Sequence, residues 1–198
     1  MSCSYSDIAM ERYDKHAISE TIKPLVWFRF RDDIFIVWTR SEQELTNFVS
    51  IMNNVDSTNK IKFELKKSTH DGLDFLDLNL KFNNNTCKIE VDVYAKDANS
   101  FTYVMPSTCY PNKNINNVPY GVALRLRRIC DTEEKFDTRS NEYSNYLIAR
   151  DYKPSVVDKH FSEVKQIPRS QARKPKPKAN KNITKNSLSL PTILNYQI

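Results

Sequence analysis

Apolar and polar positions alternate along this chain with two periods, and the period changes mark out the elements. Residues 4–18 place Tyr5, Ile8, Ala9, Tyr13 and Ala17 on one face at helical spacing, with Pro24 as the far limit. Leu25–Trp38 then predicts a hairpin: an apolar and aromatic run, Asp32-Asp33 at the turn, and the second run Ile34–Trp38. Ser41-Glu42-Gln43-Glu44 has the form of a capping box, in which the Ser and Glu side chains satisfy each other's orphan amides. Leu45, Phe48, Val49 and Met52 follow at helical spacing. Lys60–Lys66 alternates, with Ile61, Phe63 and Leu65 opposite Lys62, Glu64 and Lys66, and predicts a half-buried strand. Asp71-Gly72 predicts a turn, after which Leu76, Leu78, Leu80 and Phe82 alternate. Asn83–Asn85 turn the chain again, and Cys87, Ile89, Val91 and Val93 alternate back, which puts the Cys87 thiol on a buried face.

After about residue 100 the period lengthens. A helix opening at Pro119 and Tyr120 carries Val122, Leu124, Leu126 and Ile129 against Arg125, Arg127 and Arg128. Asp131-Thr132-Glu133-Glu134 starts a second helix with Phe136, Tyr143 and Leu147 on its face. Asp151–Pro154 break it, and Ser155 caps a third helix lined by Val157, Phe161 and Val164. The fold class is therefore α+β, hairpins and helices followed by an α-helical module. The expected division is residues 1–100, 101–166 and a basic, Pro- and Lys-rich tail at 167–198.

Composition removes several function classes. The chain has 198 residues and 2 glycines, Gly72 and Gly121, so neither a Walker loop nor a dinucleotide fingerprint can be written. The N-terminus lacks an apolar core of signal-peptide length, and no apolar run is long enough to cross a bilayer, which predicts a soluble, intracellular chain with no membrane partner. Cys3, Cys87, Cys109 and Cys130 stand far apart and away from the three histidines, so reduced thiols without a sulfur-bound metal are expected.

Charge is unevenly placed. Of 30 Lys and Arg, eight lie between Val164 and Ile198 with no Asp or Glu among them, leaving 22 basic against 24 acidic in the body. Basicity is thus a property of the tail, suited to phosphate contact, to a nuclear-import-like tract or to a solvated linker.

Asp32-Asp33 between two apolar strands is the sharpest chemical feature. Two carboxylates projecting past a sheet end can share a divalent metal, and two-metal phosphoryl transfer uses such oxygen ligands; the same pair is also ordinary turn chemistry. The neighbours add a resemblance. Phe30-Arg31-Asp32-Asp33 resembles the (Tyr/Phe)-x-Asp-Asp box of reverse transcriptases. RFRDDIFIVW, SEQELTNFVSIMN, GLDFLDLNL, SFTYVMPSTCYP and VPYGVALRLRRICDTEEKF, in that order, are similar to the Penelope-like retroelement reverse transcriptases over nearly the whole chain.

That resemblance implies an RNA-directed DNA polymerase palm and thumb. Asp32 and Asp33 would be the catalytic, Mg2+-binding carboxylates, and Gly72, Leu73, Asp74, Phe75 and Leu76 the primer-grip hairpin. Arg125, Arg127, Arg128, Lys174, Lys176 and Lys178 would contact nucleic acid, an RNA template and DNA primer duplex, and residence would be nuclear. The chain departs from the family at Arg31, whose guanidinium could pair with either Asp, and the fingers with the first catalytic carboxylate are expected upstream of Met1. A palm-and-thumb fragment inactive on its own is the expectation. The competing readings are a non-catalytic, helix-turn-helix-like nucleic-acid-binding module, built on the first two of the three helices, and a decayed retroelement remnant.

Overall fold

The computed structural model describes residues 3–55, 61–66 and 72–174. Lys176, Lys178 and Asp71 lie outside them. The architecture is α+β, with small antiparallel sheets. In chain order it runs α1 (Cys3–Ser19), β1 (Val26–Phe30), β2 (Asp33–Val37), α2 (Glu42–Asn53), β3 (Leu73–Phe75), β4 (Leu78–Asn83), β5 (Lys88–Val93), α3 (Asn112–Ile129), α4 (Glu133–Ile148), α5 (Pro154–Lys165) and α6 (Arg169–Ala172). No described helix is long and apolar enough to cross a membrane.

Two hydrophobic clusters organise these elements. The first joins Met10, Tyr13 and Ala17 of α1 to Phe48 and Met52 of α2, with Trp27, Ile34, Trp38 and Phe63 packed against them. Helix α2 starts as its capping box requires, Ser41 Oγ accepting from the Glu44 amide and Glu44 reaching back to the Ser41 amide. The face expected on α1 is buried only in its second half: Tyr13 and Ala17 are inside, whereas Tyr5, Ile8 and Ala9 are exposed. Charge sets this orientation. Arg29 donates to Asp14 at 2.8 Å and to Asp7 at 3.2 Å, and Trp27 Nε1 donates to Asp14 at 2.9 Å, so the polar side of α1 is what faces β1. Burial alone would lower the Arg29 pKa, but the two carboxylates outweigh it and leave the group raised.

The β1–β2 hairpin pairs Phe30 with Asp33, which makes Arg31-Asp32 its two-residue turn and Asp33 the first residue of β2. Residues 61–66, expected to be a strand, form no ladder among the described residues; the Asn53 side chain instead holds Phe63 by its amide at 2.6 Å and its carbonyl at 3.2 Å. The second sheet has order β3-β4-β5. Its first turn is Leu76-Asp77, with Leu76 at φ 55, so Leu76 turns the chain and does not line a strand. Cys87 likewise sits exposed in the next turn at φ 51, a correction to the buried thiol expected from alternation. Asn83 causes it: its side-chain oxygen accepts from the Asn85 and Thr86 amides and prolongs the turn to Lys88.

Gly72 is needed where it stands. Its φ is +111, and a Cβ would lie 2.8 Å from Asn79 Oδ1 and 3.0 Å from the Leu80 carbonyl oxygen. Gly72→Ala is expected to cost more than about 1 kcal/mol, read as a lowered denaturation midpoint. An unchanged midpoint would show that β3 contributes nothing to the fold.

The second cluster is centred on the helices but reaches into the sheet. It contains Val93 of β5 together with Ala123, Leu126, Phe136, Tyr143, Leu147, Val157, Phe161 and Val164, and Phe101 and Tyr103 pack on it. Helix α3 begins at Asn112, seven residues before Pro119, because Ile115 is buried and extends the apolar stripe backwards through an Asn-rich segment that reads as loop. The tail, expected to be extended from 167, first forms α6.

Candidate nucleic-acid interface

Helices α3, α4 and α5 each pack on the other two. Cys130, Asp131 and Thr132 join the first pair, Thr132 capping α4 by accepting from the Lys135 amide at 3.2 Å. Residues 149–153 join α4 to α5, with Asp151 at φ 66 reversing the chain. Pro154 opens α5 at its first position, one residue before the Ser155 cap expected, where the missing N–H of proline costs nothing. The segment before α3 closes the unit. Phe101 stacks on Tyr146 at 4.0 Å, Arg150 donates to the Tyr103 carbonyl at 3.0 Å, and Tyr152 Oη donates to the Val104 carbonyl at 2.8 Å. Burial pushes Tyr103 up to about 12 and the Cys130 thiol up to about 11, so neither ionises near neutrality.

One side of this unit is taken up by the second sheet. Arg139 binds both oxygens of Asp92 at 3.1 and 2.8 Å, Arg125 pairs with Asp77 at 2.9 Å, and Lys135 lies 3.6 Å from Glu90. Asp131 completes the contact: its Oδ2 accepts from the Val91 amide at 2.7 Å and Lys135 pairs with its other oxygen at 2.9 Å. Partial burial by itself raises the Asp131 carboxyl. The Lys135 ammonium and the Val91 amide outweigh that and hold it below its ordinary 3.8. A depressed carboxylate contributes stability fully above its unfolded value and loses it as pH falls through its folded value. Melting of the wild type should therefore fall towards that of Asp131→Asn only below about pH 3.8. A constant difference between the two down to lower pH would refute this role.

The outer face of α5 is exposed among the described residues. Val157, Phe161 and Val164 of α5 face the core. At 100° per residue Ser155, Lys159, Ser162 and Gln166 fall on the stripe diametrically opposite, and all four are exposed. None has a side-chain partner among the described residues. Sequence reasoning singles out Ser155 only as a helix cap and the other three not at all, because a short Ser/Lys/Gln stripe reads as an ordinary solvated face.

The arginines expected to touch nucleic acid divide. Arg125 is half-exposed and paired with Asp77. Arg127 is not on a solvated face: it is 7% exposed, donates to the Ile167 carbonyl at 2.7 Å and to Glu133 at 2.6 Å, and lies 5.3 Å over the Phe136 ring. Arg128 and Lys174 are exposed, Arg128 Nε donating to the Ala172 carbonyl at 2.7 Å.

The candidate polymerase residues gather elsewhere. Asp32, Asp33, Leu73, Asp74 and Phe75 line one cleft of about 400 Å³ between β2, residues 62–66 and β3, with Phe35 and Phe75 in ring contact at 5.5 Å. Gly72 and Leu76 flank β3 without lining it. Arg31 lies over the Phe30 ring at 5.6 Å, and no ion pair joins it to Asp32 or Asp33. Among the described residues no group of three His, Cys, Asp or Glu side chains could hold a metal ion.

Residues 102–162 match the family model described as the animal helix-turn-helix domain, about a third of the chain. The matched stretch runs from the segment that closes the unit through α3 and α4 to Ser162 of α5. No curated protein and no solved structure matches the chain. A helix-turn-helix domain is a nucleic-acid-binding architecture.

Proposed function

We propose that residues 102–174 act as a helix-turn-helix module that binds double-stranded nucleic acid, with α4 and α5 as its two helices and α5 as the one that reads a groove. The supporting observation is the coincidence of the family match with a three-helix unit whose last helix presents an unpartnered polar stripe. In such modules the second helix of the pair lies in the major groove, where hydroxyl, amide and ammonium groups meet base edges. Ser155, Ser162 and Gln166 supply donors and acceptors there, and Lys159 supplies charge. The α3–α4 pair is less suited to this role, because Arg125, Lys135 and Arg139 already face the acids of the second sheet.

Binding of a fluorescent duplex of about two helical turns tests this. Affinity should fall steeply with salt, ignore magnesium and Asp32→Asn, and drop at least about tenfold in Lys159→Ala/Ser162→Ala. Binding that needs magnesium and disappears in Asp32→Asn would overturn it.

The polymerase-fragment reading is favoured by one observation, that Asp32, Asp33 and residues 73–75 share a cleft beside the edge of β2 that has no strand partner among the described residues. Primer extension on an RNA template, lost in Asp32→Asn, would establish it in place of a purely binding role.

A further inference from the structure

The cations of the helical unit are not equivalent. Arg125, Arg127, Lys135, Arg139 and Lys165 each have a carboxylate partner, the last Asp137 at 2.6 Å. Arg128, Arg169, Arg173 and Lys174 have none among the described residues, and all four collect where the C-terminus of α3 meets α6. No Asp or Glu occurs from Val164 to the end of the chain to neutralise them.

Two of these arginines are held in place by the backbone. Arg169 donates to the carbonyls of Arg128 at 3.3 Å and Ile129 at 3.1 Å, two of the orphan acceptors at the negative end of the α3 dipole. Arg128 Nε donates to the Ala172 carbonyl at 2.7 Å in return. Each helix end thus fixes an arginine of the other. Both Nη groups of Arg128 and one of Arg169 remain without partners among the described residues, and Arg173 and Lys174 follow directly, exposed. A guanidinium fixed by Nε with its Nη groups free has already lost most of its rotamer freedom, so a bidentate bond to a phosphate costs little further ordering.

We propose that the α3–α6 junction is a preorganised platform for the phosphates of a nucleic-acid backbone, through Arg128, Arg169, Arg173 and Lys174. This rests on the nucleic-acid reading of the helical unit and adds to it the surface that fixes register, while α5 contacts bases.

The test compares charge-matched variants of the full chain on the same fluorescent duplex across a salt series. Arg173→Gln/Lys174→Gln removes two platform charges whose side chains make no hydrogen bond or ion pair among the described residues; Lys181→Gln/Lys185→Gln removes two from farther along the chain. The first pair should lower the magnitude of the log–log salt slope by about 2, and the second by less than half as much. Arg128→Gln, checked for an unchanged melting profile, should lower it by about 1. Equal losses from the two pairs would mean diffuse attraction and would overturn the platform while leaving duplex binding intact. A wild type that does not bind the duplex at all would overturn the underlying reading and the platform with it.

Discussion

Phe136→Ala is expected to cost about 3–5 kcal/mol of folding stability and to abolish duplex binding with it. Phe136 is 1% exposed in the first turn of α4, surrounded by the second cluster and covered by the Arg127 guanidinium. Removing the ring deletes its transfer free energy and leaves a cavity that three mutually packed helices can close only in part. Domains of this size hold about 5–15 kcal/mol in all, so such a loss leaves the unit near its unfolding threshold. Urea denaturation followed by circular dichroism measures it, and Phe136→Leu, which leaves the smaller void, should lose less than half as much. A cost below about 1 kcal/mol for Phe136→Ala would mean that α4 is not packed as described.

Arg127→Ala is the second large effect, at about 2–3 kcal/mol, and it separates structure from recognition. The side chain ties α3 to α4, where it covers Phe136 and bonds Glu133, and to the segment leading into α6, where it donates to the Ile167 carbonyl. The Glu133 carboxylate is 61% exposed and screened by water, so that ion pair contributes little; the loss comes from packing and from an unsatisfied Ile167 carbonyl. Arg127→Lys should recover part of the packing without the directed bond. In both variants the salt slope of duplex binding stays at the wild-type value wherever the unit is folded. A reduced slope with an unchanged melting midpoint would instead make Arg127 a phosphate contact.

Much of the fold was legible because its elements carry short-range signals. The Ser41–Glu44 box, the alternation of residues 78–82 and 89–93, and the Phe136, Tyr143, Leu147 and Val157, Phe161, Val164 stripes state their element within a few residues, and the two helical stripes state their buried face as well, whereas Phe82 and Ile89 of the alternating strands are exposed. What escaped depends on partners distant in sequence. Tyr5 and Ile8 obey the helical period yet stay exposed, because the ion pairs of Arg29 with Asp7 and Asp14 decide which side of α1 faces the hairpin. Residues 61–66 obey the strand period yet lie against Asn53. Turn residues at positive φ, Leu76 and Cys87, sit in phase with strand positions and so read as strand.

The same division holds for the interface. A basic residue count identifies the cationic end of the chain, but not which cations are free. Arg125 and Arg127 look like Arg128 in sequence, and only the positions of Asp77 and Glu133 distinguish them. The short α3–α4 turn suggests helix-turn-helix geometry there; the family match runs on into α5 as far as Ser162, and the stripe on that helix, with Lys159 as its single cation, has no basic cluster to announce it.

The most direct test of the central claim is a chemical-shift map of the full chain titrated with a DNA duplex of about two helical turns. The account predicts that the backbone resonances of Ser155, Lys159, Ser162 and Gln166 and those of Arg128, Arg173 and Lys174 move together. Shifts confined to Asp32, Asp33 and residues 73–75, or no shifts at all, would contradict it.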